Sequence, residues 1–288
     1  HGNLSGAIGL LEEIGDTKRA GELVGLYVRR LLWADNPDQM HKGVDLVSKY
    51  LGIGESGRDV IEAFITMASG TLEDLVIRIK SVETKAKAHG FMEKVECDLL
   101  VLESRLALGL GNLTKVIELN NAATKSTKSL FSLRMAANAA FLLEEYEILV
   151  DIVNEARTMP PPDPSEATIH MPAIETLLAL AEGRLQEALD LARYVIEETS
   201  KAGATGVWLA FDMVYCAAEV LREQGEENHA IALIEWHMAD AKKFHVTSWQ
   251  AAFEAKHALI EAQLGRSTAG LHRIRKIRDD LESPKFSL

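Results

Sequence analysis

Cysteine is almost missing from this chain: Cys97 and Cys216 are its two copies, 119 residues apart, and neither sits in a C-x-x-C pair. That excludes zinc-finger spacing and a disulfide framework, and it fits a reducing cytoplasm. Proline is scarce, seven in 288 residues, and aromatics make up only 6%, so strands have little to work with. No stretch approaches the ~18 apolar residues of a membrane span. Even Ser129 to Leu143 is interrupted by Arg134 and Asn138, and no membrane partner is expected. Basic charge is in deficit, 31 Lys and Arg against 43 Asp and Glu. The net charge of −12 repels phosphate backbones and disfavours direct nucleic-acid binding. The sequons at Asn3 and Asn112 follow no signal peptide and are read as chance.

Catalytic signatures are lacking as well. There is no G-x-S-x-G elbow, no H-E-x-x-H, no G-x-x-x-x-G-K-[ST] phosphate loop and no helix-turn-helix after Phe286. His257 with Glu261, and His41 with Asp45, share helical faces at i, i+4. A metal needs more ligands than two, and both pairs are read as chance or solvated. The expectation is a protein that is not an enzyme, with no catalytic residues, no metal and no cofactor.

What the chain has is Ala, Leu, Glu and Lys, with 47% hydrophobic residues, the composition of helices packed on helices. A turn glycine followed five residues later by a small or aliphatic residue recurs: Gly70 with Leu75, Gly111 with Val116, Gly183 with Ala188, Gly225 with Ala230, Gly265 with Gly270. The spacings are 41, 72, 42 and 40, and Glu144-Glu145-Tyr146 followed by Leu149 supplies a turn without glycine inside the double gap. The period is therefore about 40 residues. Apolar positions at three and four residues on both sides of each turn predict antiparallel helix pairs. The glycine supplies the left-handed residue that ends a helix, and the small residue lets the two helices approach.

Asp163-Pro164-Ser165-Glu166 marks a helix start, with a proline at the first helical position. Before it, Thr158 to Pro162 is expected to be a stiff, non-helical loop. Residues 1–69 read as irregular N-terminal helix pairs, because Gly2 and Gly15 both match the turn pattern yet lie too close together to be turns of successive pairs. Residues 70–157 read as a first regular sub-stack and 163–283 as a second, in one continuous α-solenoid of about seven pairs. The irregular start suggests a chain excised from something longer, with flanking domains absent.

The turn Gly183-Arg184-Leu185-Gln186-Glu187-Ala188 resembles the middle of a tetratricopeptide repeat, a family whose usual period is shorter, about 34 residues. The longer period, with joining segments at Ser200-Lys201-Ala202-Gly203 and Ala241 to His245, is similar to the MalT-like variant of bacterial signalling ATPases and LuxR-type activators. The resemblance covers residues 70–282. It implies an all-α, right-handed superhelix whose concave groove binds a peptide, protein or small-molecule inducer and controls a neighbouring ATPase or DNA-binding module. A cytoplasmic regulator is the expected function. A protein-interaction scaffold without small-molecule ligand is the alternative, and a helical enzyme a third.

In that frame, positions ten and six residues before each turn line the groove. They are Val101 and Arg105, Arg134 and Asn138, and Tyr215 and Glu219. Arg134 and Asn138 interrupt an apolar helix four residues apart, so they point the same way and suit a carboxylate or phosphate. Arg105 from the preceding unit and His170 from the following one complete an expected anion-binding groove, with Tyr215 further along. If the turn at Glu144 is misplaced, Arg134 instead snorkels to water. Trp208 and Trp249 precede the turns at Gly225 and Gly265 by nearly equal intervals. They are expected to pack between units or to form an aromatic platform. Cys97 and Cys216 are expected in the core. In the basic run His272 to Arg278, Ile274 and Ile277 are expected to pack inward.

Overall fold

The computed structural model describes residues 10, 13–16, 59–60, 62–64, 66–67, 72–90, 92–127, 129–159, 164–201, 208–243 and 247–281, and its regular structure there is entirely helical. The helices are α1 (Leu72–His89), α2 (Met92–Gly109), α3 (Leu113–Thr127), α4 (Leu130–Leu142), α5 (Tyr146–Thr158) and α6 (Pro164–Ala181). They continue with α7 (Leu185–Lys201), α8 (Trp208–Glu223), α9 (Glu227–Lys243), α10 (Thr247–Gln263) and α11 (Ser267–Leu281). By internal contacts the chain divides into two compact units, His1–Leu106 and Ala107–Leu288. The expected helix pairs of residues 1–69 are described only at residues 10, 13–16, 59–60, 62–64 and 66–67, and the turn at Gly70, the pair His41 and Asp45, and residues 160–163 lie outside the described residues.

In the first unit, Val60 and Phe64 share a core with Leu75, Ile79 and Val82 of α1 and Val95, Leu99 and Leu102 of α2. Lys85 pairs with Asp59 at 2.7 Å and Arg78 with Glu62 at 2.9 Å on its surface.

In the second unit each helix packs on the next in sequence, and the even-numbered helices also pack on one another, α4 on α6, α6 on α8 and α8 on α10. This places an even helix among several neighbours, and its composition follows. α4 buries Leu130, Ser132, Leu133, Arg134, Met135, Ala136, Ala137, Ala139 and Ala140, nearly its whole circumference. The odd-numbered helices bury one stripe. In α5 it is Leu149, Ile152, Val153 and Ala156; in α7 it is Ala188, Leu189, Ala192, Val195 and Thr199, the spacing of a one-sided helix.

The turns within the pairs share one geometry. Gly111, Gly183, Gly225 and Gly265 have φ between 72° and 76°, and Glu144 has φ 59°. At each, the residue after the turn donates to a carbonyl five positions back: Asn112 to Ala107, Glu145 to Ala140, Arg184 to Ala179, Glu226 to Leu221 and Arg266 to Glu261, at 2.8–2.9 Å. This satisfies carbonyls that a helix end otherwise leaves open. The residue five past each turn, Val116, Leu149, Ala188, Ala230 or Gly270, is buried. Gly270 shows why it is small there. A Cβ on it would lie 2.7 Å from the backbone oxygen of Ala258, so α10 and α11 meet backbone to backbone.

Several expectations need correction. Thr158 is the last residue of α5 rather than part of a loop, and Ser200, Lys201 and Ala241 to Lys243 extend helices rather than join them, because a helix continues while its buried stripe finds a neighbour. α6 starts on Pro164, as the sequence implies, but also contains Pro172, whose missing N–H interrupts its ladder. Ile274 is half exposed, since α11 packs against α10 alone and Gly270 takes the contact line. His257 and Glu261 are buried, not solvated. His257 Nε2 lies 3.1 Å from Glu235 of α9, and Arg273 of α11 donates to Glu261 at 3.0 Å. Asn112 is accounted for as a helix cap, its side-chain oxygen accepting from the Lys115 amide at 3.2 Å.

Candidate functional site

The polar residues of the even row gather on one stripe of α8. Asp212, Tyr215, Cys216 and Glu219 are spaced i, i+3, i+4 and i+7, one face of a helix. Each carboxylate is taken by a cation from another even helix. Arg134 of α4 donates through Nη1 to Asp212 Oδ2, and Asn138, one turn along, donates to the same oxygen at 3.1 Å. Arg134 is 3% exposed and the Asp212 side chain 18%. The guanidinium also lies 5.4 Å from the centroid of Phe131, a contact that suits a weakly hydrated cation.

From α6, His170 presents its ring edge-on to Phe131, centroids 5.9 Å apart. Burial, and then the Arg134 charge, hold its pKa well below 6.5, so the imidazole is neutral at pH 7. At the other end of the stripe, Lys256 of α10 donates to Glu219 and lies 4.2 Å from the Tyr215 ring centroid. Arg222 adds a 2.6 Å contact to Glu219. Burial by itself raises the Glu219 carboxyl, but hydrogen bonds and charge from Arg222 and Lys256 outweigh it and bring it down to about 2. Between the carboxylates, burial pushes the Cys216 thiol up to about 12, with Asp212 and Glu219 adding to the rise, so it is not a nucleophile at neutral pH.

The structure therefore brings together Arg134, Asn138 and His170, with Tyr215 one turn from Asp212 on α8. The snorkelling alternative for Arg134 fails, because its turn falls where the sequence places it, at Glu144, and its guanidinium is buried against a carboxylate. The anion that Arg134 and Asn138 hold is the chain's own Asp212. Arg105, half-buried on α2, belongs to the first unit. Trp208 and Trp249 lie on α8 and α10 and their side chains fall outside the described residues. Cys97 is half-buried on α2 and Cys216 buried on α8.

No family model matches the chain, and no curated protein matches it.

Sequence reading missed Asp212 and Lys256. Asp212 had a signal, as the lone charge in the apolar run Trp208 to Cys216. Lys256 had none, because α10 also carries Glu254, His257 and Glu261. Among the described residues no three His, Cys, Asp or Glu side chains gather as metal ligands, and no helix there is long and apolar enough to cross a membrane.

Proposed function

We propose that this chain is a ligand- or protein-binding sensor domain of tetratricopeptide-like build, a right-handed α-solenoid serving a cytoplasmic transcriptional or signalling regulator rather than acting as an enzyme. Support for the repeat comes from the five turns at residues 111, 144, 183, 225 and 265, which share one hydrogen-bond pattern at spacings of 33, 39, 42 and 40. In this reading the even row α4, α6, α8 and α10 lines the concave groove.

The observation that carries the ligand reading is the joint grip of Arg134 and Asn138 on one carboxylate oxygen. A planar guanidinium beside an amide donor is an arrangement for recognising a carboxylate or phosphate. An anionic inducer or acidic peptide would compete with Asp212 for it, and displacing Asp212 would loosen the link from α4 to α8.

A thermal-shift screen against sugars, phosphorylated metabolites, nucleotides and acidic peptides tests this, since a ligand at 100 times its Kd adds about 2.7 kcal/mol. The expected result is a rise with one anionic class, enlarged in Asp212→Asn, where Arg134 has no competing charge. A flat screen in both proteins would sink the anion reading. The scaffold alternative draws on the half-exposed apolar residues Leu142, Leu143, Tyr146, Ile148 and Val150 around the α4–α5 turn, which a protein partner could cover.

A further inference from the structure

The odd row holds a second cavity, away from the stripe on α8. Where α7 and α9 flank α8, a cleft of about 490 Å³ opens, within the size range of small-molecule sites. Ile196, Leu233 and Ala210 supply its apolar lining, and Ala210 is buried at its base.

Trp236 of α9 stands at this cleft with 75% of its surface exposed, far more than other tryptophan or tyrosine side chains described here. An exposed indole beside an apolar hollow offers a flat face for stacking. On α7, Arg193, Glu197 and Ser200 recur at i, i+4 and i+7 on the side that lines the cleft. Glu197 shares Lys201 with Glu198, at 2.8 and 2.9 Å. Arg193 is exposed, and among the described residues no carboxylate pairs with it. Within a chain of net charge −12, the cleft thus combines an apolar hollow, an exposed aromatic face and an exposed guanidinium with no carboxylate partner among the described residues.

We infer that the α7–α8–α9 cleft is a binding site for a small monoanion with a flat apolar ring system, its ring against Trp236 and over Ala210 and Leu233, its carboxylate on Arg193 with the Ser200 hydroxyl as a further donor. This site is separate from the Asp212–Glu219 stripe of α8 and does not depend on the anion reading of Arg134.

The test is calorimetric titration of the full chain with 2-naphthoate. Binding is expected to saturate with a Kd on the order of 1 mM or tighter, the affinity that ligand-efficiency limits allow a molecule of that size. Trp236→Ala and Arg193→Glu, both exposed positions at which folding is not at stake, are each expected to weaken it at least about tenfold. The neutral 2-naphthamide is expected to bind about tenfold more weakly, and Asn138→Ala to leave the titration unchanged. The inference is overturned by titration without saturation, by unchanged affinity in either cleft variant, by equal binding of the amide, or by loss of binding in Asn138→Ala.

Discussion

The even and odd helices of the second unit differ in how far their ion pairs reach along the chain. On the odd row several ion pairs are local, Lys201 with Glu197 and Glu198 and Lys115 with Glu118, three or four residues apart at the surface. Among the described residues the two pairs that span the most chain lie on the even row, beside the local Arg222–Glu219 pair of α8. Arg134 meets Asp212 across 78 residues of chain and Lys256 meets Glu219 across 37. A helix with neighbours on several sides cannot turn a charge to water, so a charge there needs a partner on another helix. The longest ties between repeats are thus those of the even row, Arg134 with Asp212 and Lys256 with Glu219.

Removing Arg134 is the strongest way to break this contrast. Arg134→Met takes the buried cation from Asp212 and is expected to cost about 3 kcal/mol in urea unfolding, while the double change with Asp212→Leu recovers most of it. Recovery that fails to appear would mean that the pair does more than compensate two charges. Next comes Gly270→Ala, where the added carbon meets the Ala258 carbonyl. An expected loss of about 1–3 kcal/mol should be seen as a lower Tm.

His170 gives the contrast a pH signature. Its folded pKa lies below the unfolded value of 6.5, so the unfolded chain binds the proton first. Its contribution is intact above pH 6.5 and stability falls as the pH drops below that value. His170→Gln should flatten the slope just below pH 6.5; an unchanged slope would show that another group sets it. Glu219 acts in a lower window, its contribution present above pH 4.5 and lost as pH falls towards 2.

Glu144 sharpens the comparison of turns. A side chain at φ 59° is strained where the other four turns have glycine, so Glu144→Gly should stabilise by about 0.5–1 kcal/mol after allowing for the greater freedom of glycine when unfolded. The smallest effect belongs to the odd row, where Lys201→Ala is expected to change stability by less than about 0.5 kcal/mol.

Much of the fold was legible because it is local. The helix pairs, the start at Pro164 and the glycine-free turn at Glu144 follow from periodicity and from the backbone demands of a tight helix–helix corner. The site was legible in half. Arg134 and Asn138 announce themselves by interrupting an apolar helix, and His170 by lying one unit on, but nothing near them in sequence names Asp212. The same holds for His257, whose i, i+4 spacing to Glu261 reads equally well on a wet face or a dry one.

By itself the sequence determined that the chain is helical, where its corners fall and which positions near them must be small, since these depend on hydrogen bonds and contacts within a few residues. Only the tertiary structure decided which charges meet, because the partner of Arg134 lies two even helices away and is selected by how α4, α6 and α8 pack. It also decided that Trp236 stands exposed beside an open cleft, since that depends on how α7, α8 and α9 pack.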